Sequence, residues 1–351
     1  MKYCAMQDGP PLRSRSGASR REFLKVLAAA GAGAMVPAGG LIAQTPRPAP
    51  RAKAGRIDVH HHPQPPDYLR LRNATGRDWT PAKSIEQMDK YGIATAIASV
   101  SGVWFGDVQE ARTLARICNE YGAQMARDYP GRFGLFAALP LPDQEGTLRE
   151  IEYAYDVLKA DGIGLLTSYG DKWLGDPAFR PAFEELNRRK AVIFCHVTTP
   201  NCCRSLFPGA SGFRAEVDYD TTRTVESLLI NGTLARFPDI RWIFVHSGGT
   251  LPVLAGRIND RFPKDRPDLV RNGVLGELKK FYYEVAHATF AMPLAALTKF
   301  VPVSQILFGT DYPAEPIETT TVPLAQFGFP AKTLQAIDRG NAERLFPRLK
   351  G

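Results

Sequence analysis

Arg56-Ile57-Asp58-Val59-His60-His61-His62 is the first organised stretch of this 351-residue chain, a short β-prone run that ends on three histidines. The form returns later. Ala191-Val192-Ile193-Phe194-Cys195-His196 and Arg241-Trp242-Ile243-Phe244-Val245-His246 are apolar runs closed by histidine, and Gln305-Ile306-Leu307-Phe308-Gly309-Thr310-Asp311 closes on an acid. Further β-prone runs occupy 93–100, 133–139, 162–167 and 281–286. Amphipathic stretches at helical spacing, such as 84–90, lie between them. Near-continuous apolar strands alternating with helices specify a parallel sheet covered on its outer face. Eight such units in about 260 residues favour closure into a (β/α)8 barrel of the TIM type, with an open doubly wound sheet as the alternative. Residues 199–222 read as one long irregular insertion directly after strand five, at the mouth where substrate-binding loops are expected.

The barrel reading covers residues 56–351. Before it, 44–55 is a Pro-rich linker with no pattern to pack. Residues 1–43 hold Ser19-Arg20-Arg21-Glu22-Phe23-Leu24-Lys25 and then a Gly-containing apolar run. That layout resembles a twin-arginine export signal, and the apolar run is too short to span a bilayer comfortably. The expected product is periplasmic or secreted, with no stable membrane anchor.

The signal segment also carries half of the +8 net charge, with six basic and two acidic residues. The remaining excess forms no basic stripe, so nucleic acid is not an expected partner. A content of 44% hydrophobic and 23% charged residues is that of a soluble globular chain. The five cysteines have no Cys-x-x-Cys spacing, which leaves room for one disulfide but excludes a disulfide framework.

All six histidines (His60, His61, His62, His196, His246, His287) fall at or just beyond the C-terminal end of an expected strand. In a barrel those ends converge on one mouth. His60 and His62 are two apart on a strand, so both imidazoles take one face and His61 takes the other. His196 offers a third nitrogen and Asp311 an oxygen. Three imidazoles and a carboxylate suit zinc, with manganese as a substitute, and such a metal acts as a Lewis acid. His246 has two readings, a further ligand or a proton shuttle beside the metal, and the second is preferred. His287 either lines the pocket and binds substrate or has a local structural role. Asp58 stays open between a carboxylate behind the site and a strand-start residue.

These pieces together resemble the amidohydrolase superfamily, in the branch of aminocarboxymuconate-semialdehyde decarboxylase and related aromatic-acid decarboxylases. The resemblance rests on Ile57-Asp58-Val59-His60-His61-His62, Phe194-Cys195-His196, Phe244-Val245-His246-Ser247-Gly248-Gly249 and Ile306-Leu307-Phe308-Gly309-Thr310-Asp311-Tyr312-Pro313. It implies one divalent metal on His60, His62, His196 and Asp311, with His246 and Asp311 catalytic. It also implies a homodimer or higher oligomer in which Arg257 reaches a neighbouring subunit's site and holds a substrate carboxylate. The stretch 165–175 is similar to 6-methylsalicylate decarboxylases, which implies nonoxidative decarboxylation of a small ortho-hydroxylated aromatic acid or a related unsaturated acid. Metal-dependent hydrolysis of an amide, ester or lactone is the alternative reaction. A noncatalytic, secreted metal-binding protein is the alternative class.

The export reading has a direct check. Replacing Arg20 and Arg21 together with lysine is expected to leave uncleaved precursor inside the cell, seen by immunoblot of cell fractions. Undiminished export of that variant would exclude the twin-arginine route.

Overall fold

The computed structural model describes residues 55–203 and 215–350. The expected signal and most of the linker lie outside the described residues. Eight barrel strands, numbered in chain order, are β1 (Arg56–His61), β2 (Ile93–Ala98), β3 (Phe133–Ala138), β4 (Gly162–Leu166), β5 (Val192–His196), β6 (Arg241–Phe244), β7 (Tyr282–Glu284) and β8 (Ile306–Leu307). They pair in that order and all in parallel. Alternate side chains enter two packed clusters. Leu135 and Ala137, Ile193 and Cys195, and Trp242 and Phe244 belong to one, while Phe136, Phe194, Ile243 and Val245 belong to the other. Burial on both faces explains why these strands are apolar throughout rather than alternating with polar residues. Phe136 and Phe194 stack with ring centroids 5.1 Å apart.

Helices fill the connections between strands, among them α1 (Pro81–Lys90), α2 (Val108–Asp128), α3 (Ala215–Ile230), α4 (Leu251–Arg261) and α5 (Ala291–Phe300). Local sequence starts two of them. Thr80 caps α1 by accepting from the Lys83 N–H, with Pro81 at the first helical position, and Asp107 caps α2 through the Glu110 N–H.

The first and last strands are sewn together beyond the regular ladder. Val59 N donates to Phe308 O at 3.0 Å, Asp311 N to His60 O at 2.8 Å and His62 N to Tyr312 O at 2.7 Å. Asp58, fully buried, secures this seam with both oxygens. Its Oδ1 accepts from the backbone N–H of His60 and of Thr310, each at 3.0 Å. Its Oδ2 accepts from Thr310 Oγ1 at 2.6 Å and pairs with His61 Nδ1 at 3.0 Å. The open reading of Asp58 is thereby decided: it holds β1 to the segment that carries Asp311.

Two differences from the sequence reading have physical causes. Residues 215–222 are not irregular but form the start of α3. Its β-branched and acidic composition (Asp218, Asp220, Thr221, Thr222, Thr224) is poor in helix formers, which hid the period. Burial restores it, because Val217, Thr221, Thr224, Val225 and Leu228 share one face. Asp220 is stabilised there by Trp173 Nε1 at 2.6 Å and by the hydroxyls of Thr167 and Ser168. The sixth and eighth strands also stop earlier than expected, at Phe244 and Leu307. His246, Ser247 and Asp311 have φ of 53°, 57° and 59°, left-handed values that extended backbone does not take.

Asp58→Ala removes a buried acceptor from four donors at once. It is expected to lower unfolding stability by about 3 kcal/mol, measured by denaturant titration of the metal-free protein. A loss below about 1 kcal/mol would mean that the seam does not depend on this carboxylate.

Candidate metal centre and active site

The C-terminal ends of β1, β5 and the segment after β8 bring His60, His62, His196 and Asp311 together. One donor atom from each lies within 4.8 Å of the others. His60 Nε2 is 3.0 Å from His62 Nε2 and 3.3 Å from Asp311 Oδ1, and His62 Nε2 is 2.9 Å from the same oxygen.

Hydrogen bonds at the far side of each ring decide what these atoms are. His60 Nδ1 faces Glu284 Oε1 at 3.0 Å, His62 Nδ1 faces Ser99 O at 2.7 Å and His196 Nδ1 faces Val197 O at 2.8 Å. Each partner only accepts, so each Nδ1 must carry a proton and each ring turns its Nε2 inward. His196 Nε2 and Asp311 Oδ1 are buried and have no hydrogen-bond partner, although Asp311 Oδ1 is near two nitrogens. These atoms face a common point rather than one another. Once His60 gives up its Nε2 proton, three lone pairs and a carboxylate oxygen crowded in this way repel unless a cation lies between them. Tetrahedral zinc with bonds of about 2.1 Å would space its donors roughly 3.4 Å apart, so the set fits a divalent cation.

His61 takes no part. Its ring turns outward, with Nε2 2.6 Å from Ser84 Oγ on α1. This is the opposite-face placement expected from the two-residue period.

Glu284, on β7, was not among the residues singled out in the sequence. Besides pairing with His60 it accepts from His246 N at 2.7 Å through Oε1 and from Ala286 N at 2.7 Å through Oε2. It thus fixes one ligand ring and the backbone that presents His246. The available signal was a lone acid inside the apolar run Phe281–Ala286, since a buried charge needs partners.

His246 lies beside the ligand cluster. Its ring stacks on His60 with centroids 5.6 Å apart, and its Nε2, buried and without a hydrogen bond, is 3.7 Å from Asp311 Oδ2. His287 donates to Asp311 Oδ2 from Nε2 at 2.8 Å. Asp311 therefore turns one oxygen to the ligand nitrogens and the other to His246 and His287. His246, His287 and Asp311 all have positive φ, a costly conformation for non-glycine residues that clusters at functional sites. His62, His196, His246, His287 and Asp311 line one cavity of about 840 Å³, together with Asp218, Arg77 and Tyr68. Arg257 is elsewhere, exposed on α4 and outside the lining of this cavity.

The charges are mutually adjusted. Burial opposes ionisation of Asp311, but the neighbouring His60 and His246 rings and the hydrogen bond from His287 outweigh it and hold the carboxyl well below its ordinary range. Burial also opposes a charge on His60, yet Asp311 and Glu284 outweigh it and raise its pKa to about 10. His196 goes the other way, held far below the usual histidine value by burial and by the neighbouring His62 and His60.

Comparison with known proteins agrees with this geometry. The amidohydrolase family profile matches residues 57–348. This chain belongs to the amidohydrolase family. The amidohydrolase is 34% identical over 323 residues to decarboxylase macB of Penicillium terrestre, covering 84% of this chain and 96% of that protein. It is also 34% identical to the 6-methylsalicylic acid decarboxylase of Penicillium expansum, over 84% of this chain and 97% of the relative. A dihydroxybenzoic acid decarboxylase of Polaromonas, solved with bound manganese and the inhibitor 2-nitroresorcinol, shares the fold at a TM-score of 0.73 and 22% identity. That match covers 85% of this chain and 98% of the neighbour.

The amidohydrolase is expected to bind one divalent ion per chain. His60→Ala or His62→Ala should lower affinity more than about 100-fold, Glu284→Gln about 10–100-fold, and His61→Ala little. Uptake must displace the proton that Asp311 and Glu284 hold on His60 up to about pH 10. Below that pH, affinity should therefore rise with pH, by roughly tenfold per unit for one released proton. Metal analysis and proton release on titration check both. Tightest binding at acid pH would refute the assignment of these donors.

Proposed function

We propose that this amidohydrolase-family enzyme is a metal-dependent, nonoxidative decarboxylase of a small ortho-hydroxylated aromatic acid. The observation that carries this reading is the identity of 34% to a 6-methylsalicylic acid decarboxylase over 97% of that relative's length. The cavity supports it, because a three-histidine, one-carboxylate cluster stands beside His246, whose buried Nε2 has no hydrogen-bond partner and is free to move a proton.

In this reading His60, His62, His196 and Asp311 hold the ion. When bound, it supplies a fixed positive charge that a neighbouring phenolate and carboxylate can chelate together. Zinc suits the donor set, and manganese, present in the Polaromonas neighbour, is the alternative. His246 delivers a proton from Nε2 to the ring carbon bearing the carboxylate. Asp311 is a poorer donor, because the surrounding imidazoles hold it as a carboxylate. Once that carbon is protonated, the bond to the carboxylate breaks. Its electron pair restores the aromatic ring, and carbon dioxide leaves. His287 fixes Asp311 and reaches the cavity, where it can contact the substrate's polar groups. The same four ligands with a hydrolytic nucleophile constitute the alternative reaction.

Arg257 has no ion pair among the described residues. It follows the exposed Val253 by one turn on α4, against which α5 packs with exposed Met292 at its start. This face suits a homodimer in which Arg257 serves the partner's substrate carboxylate. No helix among the described residues is long and apolar enough to cross a membrane. The paired-arginine segment, Arg20-Arg21 with the apolar run after it, favours export to the periplasm or beyond.

The deciding measurement offers the metal-loaded enzyme ortho-hydroxybenzoates, an unsaturated dicarboxylate, lactones and amides, and follows carbon dioxide and product mass. Decarboxylation without oxygen uptake is expected, with solvent deuterium entering at the carbon that lost the carboxylate. His246→Ala should keep its metal and lose at least about 100-fold in kcat. Arg257→Ala should raise KM and leave kcat nearly unchanged, as for a residue that only binds substrate. Hydrolysis of a lactone or amide with no carbon dioxide from any acid would replace this reading by the hydrolase.

A further inference from the structure

Each ligand histidine has a fixed acceptor at Nδ1, but His246 has no such bond. A carboxylate from another element, Asp218 Oδ1 on α3, lies 3.9 Å from its Nδ1. We propose that Asp218 is a positioning residue for His246: it accepts from Nδ1–H, selects the tautomer and aims Nε2 at the substrate carbon. The proposal rests on the decarboxylase reading above.

The placement of Asp218 is built rather than incidental. The loop after His246 lies directly against the start of α3. A side chain at Gly249 would meet Asp218 O at 2.4 Å and Asp218 Cα at 2.9 Å, so only glycine permits this approach. Thr250 N donates to Asp218 O at 3.4 Å, and the hydroxyls of Thr222 and Thr250 are 2.7 Å apart. The loop after His246 and the start of α3 are therefore clamped together next to the His246–Asp218 pair. Asp218 lines the same cavity as His246 and has no arginine or lysine partner among the described residues. Burial pushes its carboxyl up, with His246 and His287 partly opposing this, as expected of an acid whose partners are imidazoles.

The two carboxylates bracket one ring. Asp218 faces Nδ1 at 3.9 Å, and Asp311 Oδ2 is 3.7 Å from Nε2. Both distances exceed a hydrogen bond, a common state of proton-transfer groups before substrate closes the site. With Nδ1–H committed to Asp218, the mobile proton is confined to Nε2, the atom nearer the ligand cluster. The carboxylate also offsets the charge that His246 carries while it holds two protons. Asp218 touches neither the reacting carbon nor a ligand atom in this scheme; its effect passes through His246.

The test is a double-mutant cycle on the metal-loaded enzyme, comparing Asp218→Asn, His246→Ala and the pair, with Asp218→Glu as the conservative variant. Thermal unfolding and metal content establish that each variant is folded and loaded. Asp218→Asn is expected to lower kcat on the order of 10–100-fold while KM stays within about twofold, the signature of an interaction made only during the reaction. Asp218→Glu should recover part of the rate. On the His246→Ala background, followed at high enzyme concentration, Asp218→Asn should cost nothing further. Nitrogen NMR of labelled histidine supplies a readout apart from turnover. The His246 signal should report Nδ1–H in the wild type and a tautomer mixture in Asp218→Asn. An equal loss of rate in both backgrounds, an unchanged tautomer, or a raised KM with unchanged kcat would overturn the proposal. If the wild type hydrolyses a lactone and decarboxylates nothing, the decarboxylase reading fails on its own. The same cycle on hydrolysis, with the same tautomer measurement, then decides about Asp218 separately.

Discussion

Closure of the barrel between β1 and the segment after β8 is the constraint on which the site depends. His60 and His62 come from the beginning of the folded chain and Asp311 from near its end. They meet only because the seam holds, and Asp58 is its main fastening. With one carboxylate Asp58 binds the His60 backbone, the Thr310 backbone and hydroxyl, and the outward-facing His61 ring. The same residue therefore supports the fold and sets the separation of the candidate metal ligands. His61, which carries no site chemistry, helps by tying Asp58 and Ser84 together on the outer side.

On the inner side the dominant force is electrostatic, and it is unresolved without a cation. Three imidazole Nε2 atoms and an Asp311 oxygen converge where water is largely excluded. Burial alone would leave every group neutral. The carboxylates of Asp311 and Glu284 reverse that tendency for His60, while His196 stays neutral among its neighbours. On taking up a metal ion, a site arranged in this way would release a proton. It is also costly in backbone conformation, since His246, His287 and Asp311 adopt left-handed φ values that only surrounding hydrogen bonds can maintain. Glu284 supplies one of those bonds at His246 and His287 supplies another at Asp311.

The amidohydrolase family is shared by enzymes that break different bonds, so reaction class depends on what stands around the metal ligands. Here the surroundings are a cavity of about 840 Å³, a histidine between two carboxylates, and few cationic side chains among the lining residues. That environment is suited to moving one proton to a substrate already oriented through its own oxygens.

Much of this was legible in the sequence because its signals are local. Apolar runs ending in histidine or aspartate marked the strands and their mouth-facing ends, and the two-residue period separated His60 and His62 from His61. The residues that escaped do so for a common reason: their roles come from partners distant in sequence. Glu284 is an isolated acid until β1 and β6 bring His60 and His246 to it. Asp218 sits in a segment whose threonines and acids disguise a helix, and its position beside His246 requires the contact across Gly249. The left-handed turns at His246 and Asp311 likewise have no local sequence signature, because they are stabilised by hydrogen bonds from other strands. Sequence by itself determined the strand order, the parallel barrel and the identity of the converging donors, since periodicity and composition act over a few residues. Tertiary structure alone decided which nitrogen of each ring faces inward, which acids support the histidines and where α3 meets the mouth, since those depend on distances between segments that the chain brings together only on folding.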